Sequence, residues 1–432
     1  MKRLIILFAA AMMLLGCSED RNHILKVYNW ADYIDEDLLD EFEHWYYEQT
    51  GEEVEIIYQT FDINETMLSK IELGHEDYDV VCPSDYIIER MLRNDLLLPI
   101  RKDFGSTPNY LDNIAPYIVE QFNNIEGNGK NANDYAVGYM WGTVGVIYNT
   151  KYVAEDDARS WNVLCNPAYQ GKILMKDAFR DVYTALLIGL SKDAIDAGEK
   201  DLTELTFDTS AESIALVENY LNSFKEGVAG WEADFGKEQM TKELAWLNLS
   251  WSGDAQWAID EAAEMDVELD YAIPEEGSVV WFDGWVIPKY ARNVKAASYF
   301  INFMCMQEVA LRNMDMTGYV SVIGGDEVLE SVEDAEEYEA LDASYFFGEA
   351  ADSVHVNPIM YPSAETVRRC GIMHDGGTEE LLKMWSRVKG ANASAWTYTI
   401  IILVFAGLIG AVVLKYTKKS HRRKKYSKKS RR

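Results

Sequence analysis

An α/β fold built around a parallel sheet with helices on both faces is what this chain predicts, and three observations carry that reading. From Ile24 to Arg93, short apolar runs alternate with helix-length stretches. The helix-length stretches place apolar residues on one stripe and end at glycines. Two later runs, Tyr135–Tyr148 and Val279–Pro288, are long, aromatic and glycine-containing, and read as strands.

Taken in order, Ile24–Tyr28 is a short apolar strand. Asp35–Gln49 predicts a helix with Leu38, Leu39, Phe42 and Tyr46 on one face and Gly51 as its stop. Val54–Gln59 alternates as a strand does. Asn64 is placed to cap a helix through Leu73, stopped by Gly74. Tyr78–Ser84 is strand-like and Tyr86–Arg93 helical again. This β-α-β-α-β pattern argues for the parallel sheet. About 130 residues with their own strands and helices separate the two long aromatic runs. Helices return at Ala291–Asn313, Val328–Ala340 and Glu379–Val388. Gly324–Asp352 is dense in Asp and Glu and reads as a solvated surface segment.

The length, 432 residues, suits two to four domains with large cores. With 48% apolar and 26% charged residues, the chain is not a disordered, collagen-like or small disulfide-scaffold protein. Asp and Glu number 72 against 40 Lys and Arg, a net charge of −32. Such acidity argues against nucleic-acid binding. Eleven Lys/Arg and no acid fall in 415–432, so Cys17–Leu414 carries 27 basic and 72 acidic residues. That body attracts cations and repels anions, besides being well solvated.

Both ends read as targeting segments. Met1–Cys17 has a basic start, Lys2-Arg3, then an apolar run, as a secretory signal does. Its end, Leu14-Leu15-Gly16-Cys17, resembles a bacterial lipobox, which implies cleavage before Cys17 and acylation of its sulfur; residues 18–24 then form a tether. Trp396–Leu414 is nineteen residues without a charge, enough to span ~30 Å of hydrocarbon. The basic tail 415–432 after it predicts a cytoplasmic C-terminus, with the body outside the membrane.

Cys82, Cys165, Cys305 and Cys370 are far apart with no CxxC. Two disulfides with three connectivities are open to them; buried free thiols are the default. HExxH, GxGxxG, P-loop and GxSxG motifs are absent, and the six histidines are scattered, so neither a metal site nor a cofactor is expected.

Four short stretches pair an aromatic with an acid in turn-prone contexts: Tyr28–Tyr33, Ser84-Asp85-Tyr86, Trp251–Asp254 and Trp281-Phe282-Asp283. Loops at strand ends are where open α/β sheets bind ligands. An alkylammonium wants a carboxylate for charge-assisted hydrogen bonds and aromatic faces for cation–π attraction. Sugars stack on the same aromatics, and paired carboxylates suit a glycoside hydrolase, so residue types alone leave both open.

The motifs then decide more. YNWADYI (28–34), NETM (64–67), YDVVCPSDY (78–86), GYMWG (138–142), Arg180-Asp181-Val182, NLSWSGDA (248–255), PEEGSVVWFDGWVIP (274–288), Thr317-Gly318-Tyr319 and YPSAET (361–366) resemble, in order and spacing, the bacterial polyamine-binding proteins that serve as spermidine/putrescine receptors of ABC importers. The resemblance covers about Leu25 to Gly390. It implies a two-lobed periplasmic-binding-protein fold of type II, hinged by two crossing strands near 135–148 and 279–288, with a C-terminal transmembrane helix added here. The lobes would be 25–140 with 284–325, and 141–283 with 326–390.

Residue by residue, the resemblance makes Trp30 and Tyr33 a first aromatic wall with Asp32 between them. Ser84 and Tyr86 match a second ligand loop. Trp251 matches a wall of the other lobe, and Asp254 the WxGD form of putrescine binders. Trp281 and Asp283 match the strongest signature, Asp283 as principal ammonium partner. Tyr319 resembles a ligand-facing tyrosine. Asp181 stands where a family Glu holds the far amine. Two departures weaken a spermidine assignment: Ala178 replaces an acid, and Met373, beside His374 and Asp375, replaces a family Gln. The resemblance implies a non-enzymatic receptor with a polyamine ligand and ABC permease partners. The same fold with a sugar or other cation, an acidic glycoside hydrolase, or a sensor without a transporter are the alternatives.

Overall fold

The computed structural model describes residues 21–233 and 235–390. Their elements follow the alternation: β1 (Ile24–Trp30), α1 (Asp37–Thr50), β2 (Glu55–Phe61), α2 (Asn64–Glu72), β3 (Val80–Val81) and α3 (Asp85–Arg93). Next come β4 (Ala136–Asn149), β5 (Ile173–Lys176), α4 (Phe179–Leu190), β6 (Val228–Glu232), β7 (Leu247–Trp251), α5 (Ser252–Ala263), β8 (Leu269–Ala272) and β9 (Ser278–Pro288). The strands join in the order β2-β1-β3-β9-β4-β7-β5-β6. The outer pairs at each end are parallel, β1 with β2 and β3, β5 with β6 and β7. The two long strands in the middle are antiparallel.

Strand β4 serves both halves of this order. Its residues up to Thr143 pair with β9, and those from Val144 onward pair with β7 and β8. Every residue of β4 and β9 is buried. The β4–β9 register slips between Asp283 and Gly284, so that Tyr139 is the extra residue. A bulge bends its strand and re-aims the neighbouring side chains.

Local sequence explains the first elements. In α1, Leu38, Phe42 and Tyr46 are the buried stripe, and Gly51 closes the helix at φ 71°, a left-handed turn that costs glycine little. The α2 start differs from the sequence reading. Ile63 is the N-cap and Asn64 makes no cap bond; its amide instead reaches Ser84 and Tyr86. Of Tyr78–Ser84, only Val80–Val81 is a regular strand. Ala291–Asn313 is two helices, Val294–Met304 and Gln307–Thr317, broken at Cys305-Met306. The helix expected over Val328–Ala340 runs instead over Asp326–Val332, because Glu333 leaves to pair with Val356. Gly324–Asp352 is acidic outside but anchored inside: Phe346 is fully buried, its ring stacked 5.5 Å from that of Trp141. Cys82, Cys165, Cys305 and Cys370 are free thiols, and all but Cys165 are buried.

The chain divides into two compact units, Met1–Leu381 and Leu382–Arg432; the sheet lies in the first. The expected membrane anchor at the C-terminus does not stand. Among the described residues no helix is long and apolar enough to cross a membrane. The longest α-helices there have 14 residues, about 21 Å at 1.5 Å per residue, short of ~30 Å of hydrocarbon. The stretch 396–414 and the tail 415–432 lie outside the described residues, as do Met1–Cys17 and the lipidation expected at Cys17. Among the described residues the fold therefore carries no transmembrane helix, and the membrane partner and cytoplasmic tail drawn from such a helix are withdrawn.

Candidate ligand-binding site

The aromatic–acid stretches, distant in sequence, meet where β4 and β9 cross the sheet. Asp283, on β9, sits opposite the β4 bulge and bridges to Ser84, at the N-terminus of α3. The Tyr33 hydroxyl donates to Asp283 Oδ2 at 3.0 Å. Tyr33 is itself held by Tyr139, the bulge residue, whose hydroxyl donates to the Tyr33 carbonyl at 2.8 Å. The Tyr33 and Tyr319 rings lie edge to face with centroids 5.1 Å apart, and Trp281 lies 5.6 Å from Tyr319. These rings need close backbone approaches. A Cβ at Gly253 would fall 2.3 Å from the Tyr319 ring, and one at Gly142 2.6 Å from Trp281.

Asp283 is buried, and its Oδ1 has no hydrogen-bond partner among the described residues. The indole N–H groups of Trp30 and Trp281 are likewise buried and unpartnered. Burial pushes the Asp283 carboxyl up to about 7; the Ser84 and Tyr33 hydroxyls pull it back, and Asp181 adds repulsion. An acid so placed lacks only a counter-charge.

Asp181, in the first turn of α4, accepts a 2.9 Å bond from Trp251 Nε1. It keeps some surface open yet lies deep among protein atoms, and that burial raises its pKa against the pull of the Trp251 N–H. Tyr86 is buried beneath the Arg180 guanidinium, 4.7 Å from its ring centroid.

Asp254 is differently placed. It lies in the first turn of α5, where an acid is favoured. Its Oδ2 is bonded by Lys176 Nζ, and its Oδ1 takes a 2.9 Å bond from Tyr319 and lies 3.4 Å from Lys237 Nζ. Burial would raise its pKa, but Lys176 and Lys237 outweigh that and hold it below the ordinary carboxylate value.

Of the residues expected from sequence, Tyr33, Ser84, Trp281, Asp283 and Tyr319 form one group. Tyr86, Asp181, Trp251 and Asp254 join it through hydrogen bonds and shared electrostatics. Trp30 packs on Phe61 at its margin. Asp32 stands apart: it is exposed, at φ 51°, and its field falls on Tyr58. The sequence reading missed Asn64, Lys176, Glu232 and Lys237. Asn64 lay inside the quoted NETM motif. The two lysines carried no motif signal, because each meets Asp254 from a different element of the fold rather than from its own stretch of chain.

The chain matches the family described as bacterial extracellular solute-binding protein over residues 37–340. It is 28% identical over 319 residues to the spermidine/putrescine-binding periplasmic protein of Escherichia coli K12, covering 72% of this chain and 82% of that protein. It is 25% identical over 388 residues to the putrescine-binding periplasmic protein SpuD of Pseudomonas aeruginosa, covering 86% and 93%. Its structure is similar to that of the spermidine/putrescine ABC transporter substrate-binding protein PotD of Streptococcus pneumoniae, with a TM-score of 0.62, 27% identity, and coverage of 85% of this chain and 98% of that one. The architecture is accordingly the α/β two-lobed periplasmic-binding-protein fold of type II. The chain belongs to the bacterial extracellular solute-binding protein family.

Proposed function

We propose that this solute-binding protein is the polyamine receptor of an ABC importer, working outside the cytoplasmic membrane and handing its ligand to the permease. The observation that carries the reading is Asp283: a buried carboxylate with one oxygen unpartnered, ringed by Tyr33, Trp281 and Tyr319. Among the described residues no cation pairs with it. An ammonium group meets each need of that corner, a charge-assisted hydrogen bond to the free oxygen and cation–π attraction of ~0.5–2 kcal/mol per ring. The names of the relatives, which specify spermidine and putrescine, point to the same chemistry.

On this reading the ligand lies with one ammonium on Asp283 and the other toward Asp181. Trp30, Tyr33, Tyr86, Trp251, Trp281 and Tyr319 wall its methylene chain, and Ser84 trims the Asp283 end. The lobes are 25–140 with 284–325 and 141–283 with 326–390, and β4 and β9 run between them. Closure about these strands excludes water, which strengthens each electrostatic contact, and presents a new surface to the permease. The work is capture, and no bond is made or broken. The acidic body hastens the arrival of cations, within a screening length of ~8 Å at physiological salt.

Calorimetry tests this directly, with protein unfolded and refolded to strip bound ligand. Titration with putrescine, cadaverine, spermidine and spermine, against maltose and arginine, gives tight one-to-one binding to a polyamine and none to the controls. Folded protein that gives no heat with any amine overturns the reading.

A further inference from the structure

Lys176 is the least expected residue of the site. It ends β5 in register with Glu232, which ends β6. Its side chain is 1% exposed. The ammonium bonds to Asp254 Oδ2 and to the Ala233 carbonyl at 2.7 Å, lies 3.2 Å from Glu232 Oε1, and sits 4.4 Å from the centroid of the Trp251 ring. Carboxylates plus an aromatic face are what a bound alkylammonium would be offered. The protein has placed one of its own there.

The electrical balance follows. Two lysines, Lys176 and Lys237, meet two carboxylates, Asp254 and Glu232, so the corner is neutral as it stands. Both oxygens of Glu232 are already engaged: besides Lys176, Oε1 accepts from the Asn248 amide and Oε2 from the Gly236 N–H. The corner is nonetheless continuous with the site, because Tyr319 donates to Asp254 while its ring faces Tyr33 and Trp281.

We propose that Lys176, helped by Lys237, is a resident ammonium that fills the Asp254 corner of the cleft and so sets specificity for a ligand with two ammonium groups over one with three. Asp283 and Asp181 remain as the two carboxylates open to ligand. A third ammonium reaching toward Asp254 meets a fixed cation instead of a free acid. This inference rests on the polyamine reading above, and deepens it by naming the diamine class.

The test is the ratio of putrescine to spermidine affinity by calorimetry on the full chain, stripped of bound ligand. The wild type binds putrescine more tightly. Lys176→Met opens a net negative corner and shifts the ratio at least tenfold toward spermidine, with spermidine also raising the melting temperature of the variant more than putrescine does. Lys237→Met, at a partly exposed position that leaves the buried pair intact, shifts the ratio the same way by about threefold; it serves as the decisive variant if Lys176→Met does not fold. A wild type that prefers spermidine, or a ratio unmoved in the folded variants, overturns the role of the lysines and leaves the polyamine reading standing. A wild type that binds neither putrescine nor spermidine overturns this inference, and one that binds no amine at all overturns the polyamine reading with it.

Discussion

The corners around Asp283 and Asp254 are built from the same materials and are in opposite states. Each has a buried aspartate bonded by a tyrosine hydroxyl, Tyr33 in one and Tyr319 in the other. Each borders a tryptophan or tyrosine face. Asp254 has two lysines and a depressed pKa; Asp283 has no cation among the described residues and a pKa raised to about 7. The difference is one of counter-charge. A buried carboxylate completed by the protein is structure, and one left incomplete is a receptor for a cation.

The largest test of that contrast is Asp254→Asn. Breaking a buried ion pair leaves Lys176 short of its counter-charge, a loss of about 3–5 kcal/mol of stability, read as a lower denaturant midpoint. Putrescine affinity should change less than about tenfold, ~1.4 kcal/mol. A loss of affinity beyond that with stability intact would reverse the assignment of the two corners.

Asp283→Asn should do the converse. It removes the ammonium partner at a cost of about 2–4 kcal/mol in putrescine binding, roughly thirtyfold to several hundredfold. Stability without ligand should hold or rise at pH 8, since the charge removed was uncompensated. Unchanged putrescine affinity in this variant would place the ligand elsewhere.

The pH dependence sharpens the comparison further. The folded-state pKa of Asp283 is about 7, above the unfolded value near 3.9. The native state then holds an extra proton between about pH 4 and 7, and this group's contribution to stability falls as pH rises through that window. A cationic ligand requires the ionised form. Putrescine affinity should therefore rise about tenfold per unit up to pH 7 and level off above it. At pH 6 binding should release close to one proton, seen as a dependence of the heat on buffer ionisation enthalpy. Asp283→Asn should flatten both; a profile already flat in the wild type contradicts the raised pKa.

The smallest effect belongs to the walls. Trp281→Leu keeps apolar area but loses the ring face, a change of ~0.5–2 kcal/mol, or about twofold to thirtyfold in affinity. A loss as large as that of Asp283→Asn would mean that stacking, and with it a sugar-like ligand, dominates.

Much of this was legible in the chain. The β-α-β-α-β start, the α1 stripe and its Gly51 stop, and the two long strands fell close to their sequence positions, since period and stop residues are local properties. Boundaries failed where a tertiary bond outbid a local one: Asn64 left its cap for Ser84 and Tyr86, and Glu333 left its helix for Val356. The uncharged run before the basic tail spoke for a spanning helix, which no helix among the described residues supports.

By itself the sequence determined the α/β class, the acidic character and the aromatic–acid stretches from which a cation site could be made, because these depend on residue type and short spacing. Only the tertiary structure decided which acid stays open. Lys176 reaches Asp254 because β5 and β7 are parallel neighbours, with Met175 opposite Leu249, and nothing within 78 residues of chain encodes that pairing. Charge balance in a buried site is a property of sheet register, fixed only when distant strands meet.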